Sequence, residues 1–375
     1  MKVLLLSAYA AHSHLHWQSM LQVMFAHWQW RVLTLPPRHF SWRIRGNALF
    51  WSMAERDTLE AGYDLIIATS MVDLATLRGL VPALARVPSV LYFHENQFAY
   101  PQAEQQHSLV EAQITSLYSA LAADRVVFNS HYNRDSFMAG CSTLLQKLPD
   151  CVPPAVVPRL MSTSTVLPVP LDDGCFEEAT PVWPGEGAIG RPLRLLWVGR
   201  FEHDKGPDGL LRILTLLEEQ GLDYELAMVG QQFRQAPPVF AEIQSAFGHR
   251  LVHFGYLQQP ARYRALLRAA DIVLSTAVHE FQGLAVMEAV AAGAWPVIPE
   301  RLVYPEMYSA DCCYASYPDD PEREAGAAVT AIVSTTRHLA TRASAAPDMT
   351  AYSVRALAPR YAAVFADAMG AEDSH

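Results

Sequence analysis

The chain has 375 residues, 51% hydrophobic, 10% aromatic and 18% charged, with a net charge of −10. That is too long for one compact core and too apolar for wholesale disorder, so two packed domains are expected. No apolar run approaches the roughly 18 residues of a membrane-spanning helix. The five cysteines lack CxxC spacing, which argues against both a disulfide framework and a zinc site.

Residues 3–9 (VLLLSAY) read as a buried first strand, followed by a helical stretch over 15–28. Further strands are expected at 30–36, 65–70, 89–96 and 125–130, with helices over 106–122 and from 131 onward. Short apolar runs separated by helical patterns indicate a parallel sheet covered on both faces, a Rossmann-like doubly wound domain. Residues 149–193 then change character, with nine prolines and the turn signals LDDG and WPGEG, and read as a connection. The alternation restarts with strands at 193–200, 224–230, 251–256, 271–276 and 295–300 and helices between them. The last helical segment spans 350–369.

The expected organisation is α/β throughout. A Rossmann-like domain covers 1–170, a linker 171–190 and a second Rossmann-like domain 191–350; a C-terminal helix within 351–375 packs back on the first domain. Two such domains facing each other across a cleft form a GT-B architecture, with ligands at the converging C-terminal ends of the strands.

Charge is unevenly spread. Residues 1–170 carry 12 basic against 11 acidic side chains, and the remainder 16 against 27. The first 54 residues contain no acid; they hold Lys2, Arg31, Arg38, Arg43 and Arg45 beside five tryptophans and five histidines. A basic, aromatic surface suits an anionic polymer. The alternative is that the tryptophans belong to the core.

Three segments carry chemistry. In His279-Glu280-Phe281-Gln282-Gly283-Leu284 through Glu288, a turn ending at Gly283 opens a helix whose free amides and dipole attract a diphosphate. Glu280 is placed to accept hydrogen bonds from sugar hydroxyls, and Glu288, two turns on, to reach ribose hydroxyls. In Gly199-Arg200-Phe201-Glu202-His203-Asp204-Lys205-Gly206, an Arg and a Lys leave a buried strand together and can hold a pyrophosphate. No GxxxxGK[ST] or GxGxxG is present, which counts against a P-loop NTPase and an ordinary NAD enzyme. In Tyr92-Phe93-His94-Glu95-Asn96-Gln97, a polar cluster ends a strand of the first domain, with His94 aimed at a transferred sugar and Glu95 at an acceptor hydroxyl. Ser13-His14 and Asn129-Ser130 occupy comparable strand-exit positions. His12, His14 and His16 have no carboxylate at useful spacing and are poor metal candidates.

Together these motifs resemble the retaining GT-B glycosyltransferases of the GT4 type and, more narrowly, the tRNA-queuosine mannosyltransferase family. The carriers are Leu35-Pro36, Trp42-Arg43-Ile44-Arg45, Leu91 through Gln97, Val127-Phe128-Asn129-Ser130, Glu202 through Lys205, Ser275-Thr276 with His279-Glu280-Phe281, and Leu302 through Glu306. The family's Gly-Gly before Ser-His is replaced here by Ala11-His12. The resemblance implies transfer of mannose from GDP-mannose to the cyclopentene diol of queuosine in the anticodon of tRNA-Asp.

Arg200 and Lys205 are then expected on the diphosphate. Glu280 and the amides near Gly283 and Leu284 are expected on the sugar, and Glu288 on the ribose. Catalysis falls to His94, Arg200, Lys205 and Glu280. Ser13, His14, Asn129, Gly199, Gly230, Phe281 and Gln282 complete the donor site, and Arg38, Trp42, Arg43, Arg45, Glu95, Asn96 and Gln97 the acceptor site. Neither a covalent enzyme intermediate nor a metal is implied, and no protein partner. The expected location is the cytoplasm. The rival functions are a GT4 enzyme acting on a glycan, lipid or small molecule, a sugar-nucleotide epimerase, and a binding module without activity.

Overall fold

The structure, a computed structural model, describes residues 1–99, 109–185, 191–232, 236–340 and 345–370. By its internal contacts the chain divides into two units, Met1–Pro170 with Val354 onward, and Leu171–Ser353.

The first unit is built on six parallel strands: β1 (Lys2–Ser7), β2 (Gln29–Thr34), β3 (Leu65–Thr69), β4 (Ser89–Phe93), β5 (Arg125–Phe128) and β6 (Ser164–Val166), in the order β2-β1-β3-β4-β5-β6. Leu4, Leu6, Ile66, Ala68, Leu91 and Phe93 form one face of the core, with Ile44, Ala48 and Trp51 of the helix Phe40–Ala54. The alternate residues Leu5, Ile67 and Tyr92 are equally buried, because both faces are covered. The helices His12–Met24 and Val354–Gly370 pack together and are joined by a hydrogen bond from Trp17 Nε1 to Tyr361 Oη at 3.0 Å.

The second unit has β7 (Leu193–Val198), β8 (Tyr224–Val229), β9 (Leu251–Gly255), β10 (Ile272–Leu274), β11 (Trp295–Pro299) and β12 (Cys313–Tyr314), in the order β12-β11-β10-β7-β8-β9. Its core gathers Leu195, Trp197, Leu226, Met228, Ile272 and Leu274 with residues of the helices Pro207–Glu219 and Pro321–Ala340. In this order the strand sequence reverses between β7 and β10. In the first unit the reversal falls between β1 and β3.

Several segments differ from expectation. The helix Phe40–Ala54 was not anticipated, because its buried Ile44, Ala48 and Trp51 alternate with exposed Trp42, Leu49, Phe50 and Met53, which blurs the 3.6-residue period. Residues 149–170 are not a connection: they supply the helix Val156–Thr163 and the edge strand β6, paired to β5 through Phe128 and Val166. The expected linker 171–190 packs within the second unit over its described part. Leu171 bridges to Ser353, and the indole N–H of buried Trp183 donates to Glu225 at 2.6 Å. The helix expected from 106 begins at Leu109; residues 100–108 lie outside the described residues.

Asp73 caps the helix Leu74–Leu80, accepting from the Thr76 N–H at 3.2 Å, and its side chain is only 2% exposed. Arg45 neutralises it at 2.5 Å while remaining half exposed itself. Removing the cation leaves a buried charge without its partner, a cost moderated by the solvent around Arg45. Arg45→Ala is therefore expected to destabilise the protein by about 1–2 kcal/mol in urea unfolding; an unchanged midpoint would show that the pair contributes nothing.

Candidate functional site

In a doubly wound sheet, ligands bind where the strand order reverses, because the two loops leaving the strands there diverge and open a crevice. In the second unit these are the loops after β7 and β10. The first runs through Gly199 to Gly206 and enters the helix Pro207–Glu219; the second runs through Ser275 to Gly283 and enters the helix Leu284–Ala291. They are laced together. The backbone N–H groups of Val278 and His279 donate to the Asp204 carbonyl at 3.0 and 3.1 Å, and Thr276 Oγ1 donates to the Lys205 carbonyl at 2.8 Å. Gly206 has φ +65°, and a Cβ there would lie 1.9 Å from the Thr276 carbonyl oxygen, so the approach demands glycine. Gly230 is equally constrained: a Cβ would lie 1.7 Å from the Gly199 carbonyl oxygen.

The laced loops bring the sequence-predicted charges together. Lys205 Nζ stands 2.9 Å from Glu280 Oε2 and 3.0 Å from Asp204 Oδ2. Arg200 pairs with Glu202 at 2.6 Å and with Asp204 at 3.4 Å. Burial pushes the Glu280 carboxyl up, but the Lys205 ammonium and the amides of Gly283 and Gln282 outweigh it and hold the group below its ordinary range. Burial likewise disfavours the Lys205 cation, and Glu280 and Asp204 more than restore it. Both groups are therefore ionised. Burial drives the neighbouring His279 imidazole down to about 4, with the Lys205 charge adding to the shift. A small cavity opens here, lined by Gly199, Lys205, Ser275, Glu280, Gly283 and Tyr304.

Phe281 and Gln282 are buried, Phe281 edge-on to His279 and Gln282 against the sulfur of Met287, so it is their backbone that turns toward Glu280. The Phe281 N–H donates to Glu280 Oε1 at 3.1 Å. Gly283 adopts φ +76° and hands over to the helix at half-buried Leu284. Glu288, on that helix, accepts a hydrogen bond from Tyr263 Oη at 2.8 Å.

Sequence reasoning missed the bracing around this site. Trp197 Nε1 donates to Thr276 Oγ1 at 3.1 Å, and the hydroxyls of Tyr304 and Ser275 lie 2.7 Å apart. Arg301 donates to the Ala277 carbonyl at 2.9 Å while paired to Glu324 at 2.8 Å. Asp204 and Tyr304 lie inside the sequence motifs, but the partners of the Asp204 carbonyl, Val278 and His279, and of the Tyr304 hydroxyl, Ser275, are far away in sequence.

In the first unit, buried His14 and His94 stack with ring centroids 4.2 Å apart, and half-buried Ser13 precedes them on the same helix as His14. Trp17 and Tyr92 complete the wall around His94, at 5.0 and 4.7 Å. Burial lowers the His14 imidazole to about 4, and burial with the proximity of His14 and His16 takes His94 well below its ordinary value. Both rings are neutral at physiological pH.

The structure draws some predicted residues inward. Asn129 Nδ2 donates to the His94 carbonyl at 2.9 Å, and the Asn96 amide is spent on Asn133 at 2.8 Å and on the Phe98 N–H at 2.9 Å. Gln97 is buried, whereas Glu95 is half buried, its carbonyl accepting from Ser70 Oγ at 3.3 Å. Asn96 and Asn129 therefore hold the loop after β4 in shape. Among the basic residues, Arg38 and Trp42 are exposed, Arg43 is half buried and Arg45 is committed to Asp73. Trp17 and Trp51 are core residues.

Three neutral, buried imidazoles (His14, His94, His279) have a stability consequence. Their folded values lie below the unfolded one near 6.5, so the unfolded chain takes up protons that the folded chain refuses. Stability should fall as the pH drops from about 6.5 toward 4, by up to about 2 kcal/mol per imidazole between pH 6.5 and 5. Urea unfolding of His14→Phe and His279→Asn should show a flatter slope over that interval than the parent protein; identical slopes would contradict the assignment.

A family profile described as the tRNA-queuosine alpha-mannosyltransferase N-terminal region matches residues 2–171, and one for group 1 glycosyl transferases matches residues 184–317. A tRNA-queuosine alpha-mannosyltransferase of Drosophila melanogaster is 35% identical over 287 residues, 76% of this chain and 75% of that protein. A GDP-mannose-dependent alpha-(1-6)-phosphatidylinositol dimannoside mannosyltransferase of Mycobacterium tuberculosis is 28% identical over 32% of this chain and 31% of its own. Among solved structures, the sucrose-phosphate synthase of Thermosynechococcus elongatus superposes with a TM-score of 0.64 over 99% of this chain and 97% of its own, at 15% identity. The lipopolysaccharide outer core galactosyltransferase WaaB does so with a TM-score of 0.61 over 97% and 99%, at 12% identity. These two likenesses speak for the fold alone, the two-domain α/β fold of GT-B glycosyltransferases. With the charged switch point of the second unit and the Drosophila relative aligned over three-quarters of both chains, the chain belongs to the tRNA-queuosine alpha-mannosyltransferase family of glycosyltransferases.

Proposed function

We propose that the protein transfers mannose from GDP-mannose to the cyclopentene diol of queuosine in a tRNA anticodon, with retention of configuration. The observation that carries this reading is the Lys205–Glu280 ion pair at the β7/β10 reversal, in a chain 35% identical to a queuosine mannosyltransferase. The GDP-mannose dependence of the mycobacterial relative supports the choice of donor. The mycobacterial mannosyltransferase, named for a phosphatidylinositol dimannoside acceptor, aligns over only 32% of this chain, against 76% for the queuosine enzyme.

Arg200 and Lys205 take the diphosphate, exchanging their pairing with Glu202 and Asp204 for phosphate oxygens, and stabilise the charge that develops on the leaving group. Glu280, kept ionised, accepts hydrogen bonds from sugar hydroxyls, and the first amides of the helix Leu284–Ala291 add their dipole. Glu288 receives the ribose. In the first unit, His94 serves as a neutral hydrogen-bonding partner of the sugar, and Glu95 orients the acceptor hydroxyl. That hydroxyl attacks the anomeric carbon on the face from which the diphosphate departs. Its proton passes to the departing phosphate oxygen, so no enzyme nucleophile is used. The two cations supply the positive charge that a metal would otherwise provide.

The tRNA reading places a base on exposed Trp42 and a phosphate on Arg38. The proposed location is the cytoplasm; among the described residues no helix is long and apolar enough to cross a membrane.

Two outcomes are expected. Glu280→Ala should lower sugar transfer to queuosine tRNA by about 100-fold or more, with the fold intact by circular dichroism; retained turnover would remove Glu280 from the chemistry. Arg38→Ala combined with Trp42→Ala should weaken tRNA binding about tenfold in a gel-shift assay with GDP affinity unchanged. Unaltered tRNA affinity would move the acceptor surface elsewhere.

A further inference from the structure

Resting on the ribose role of Glu288, we infer that Tyr263 is a positioning residue for donor binding: it orients the Glu288 carboxylate for a ribose diol and thereby sets the enzyme's preference for ribonucleotides. Tyr263 stands on the helix Pro260–Ala269, which packs against the helix Leu284–Ala291 that carries Glu288. Its hydroxyl donates to Glu288 Oε2 at 2.8 Å, and both side chains are half buried, so the bond is partly shielded from water.

The chemistry explains why such a partner is needed. A glutamate side chain has three rotatable bonds, and recognising adjacent 2′ and 3′ hydroxyls requires its carboxylate plane to be held still. Tyrosine suits this task. Its phenol donates one hydrogen bond from a rigid ring without neutralising the carboxylate, whereas a Lys or Arg in its place would form a charge pair that competes with the ligand. Phenylalanine removes the hydroxyl and keeps the ring, so Tyr263→Phe isolates the hydrogen bond from the packing.

The test uses the full-length protein and no acceptor. Dissociation constants are measured by calorimetry for GDP and for 2′,3′-dideoxy-GDP, with the uridine pair run in parallel, on the parent protein and on Tyr263→Phe. The parent should favour the ribonucleotide by about tenfold. Tyr263→Phe should lose most of that preference through weaker GDP binding, with the dideoxy nucleotide bound as before. A variant that keeps the full preference, or that weakens both nucleotides equally, would overturn the inference, as would a parent protein indifferent to the diol. A wrong donor base appears as the same pattern on the uridine pair, which upholds the inference while refuting GDP-mannose. Failure to modify queuosine leaves this readout untouched, so the two ideas fall separately.

Discussion

The carbonyl oxygen of Asp204 accepts two backbone hydrogen bonds from the opposite loop, and the site of the second unit is organised around that junction. Strands β7 and β10 are neighbours whose connections leave in opposite directions, so the loops beyond them have no regular partner. Lacing them through Asp204, Thr276 and Lys205 satisfies their backbone groups and draws Lys205 within hydrogen-bonding distance of Glu280. Glycine at 206 follows from the same geometry, because a side chain would collide with the Thr276 carbonyl. Arg301, Tyr304 and Tyr314 hold the second loop through Ala277 and Ser275, and so brace the segment that carries Glu280.

The two units carry opposite electrostatic solutions. In the second, Glu202, Asp204 and Glu280 surround Arg200 and Lys205, so the site is internally balanced and slightly acidic without a ligand. Any ligand that takes these cations must displace carboxylates from them, which favours a strongly anionic ligand over a neutral one. In the first unit, burial keeps His14 and His94 uncharged within an aromatic wall. A neutral imidazole can donate or accept a hydrogen bond without carrying a charge.

Much of this was legible in the sequence. The segments 65–70, 89–96 and 193–200 are rich in apolar residues and followed by polar or glycine turns, and each holds a strand in the interior of its sheet. The charged motifs pointed to Arg200, Lys205 and Glu280, which the structure gathers on two neighbouring loops, because a strand exit followed by a helix start confines where such side chains can lie. Asn96 and Asn129 looked like ligand-binding residues by the same rule, yet their amides are consumed holding the loop after β4. Strand-exit position does not tell a polar group that faces a ligand from one that satisfies buried backbone. The helix Phe40–Ala54 and the pairing of Arg45 with Asp73 were hidden for a related reason: apolar residues on both faces erase the helical period, and an ion pair across 28 residues leaves no local signature.

The central claim is that this switch point delivers mannose to queuosine. It is tested most directly by incubating the purified protein with tRNA containing or lacking queuosine and a panel of nucleotide sugars, then digesting the tRNA for nucleoside mass spectrometry. The account predicts one added hexose on queuosine, with GDP-mannose alone and only in the queuosine-containing tRNA. Modification from a uridine-linked sugar, or none from any donor while GDP still stabilises the protein against heat, would contradict it.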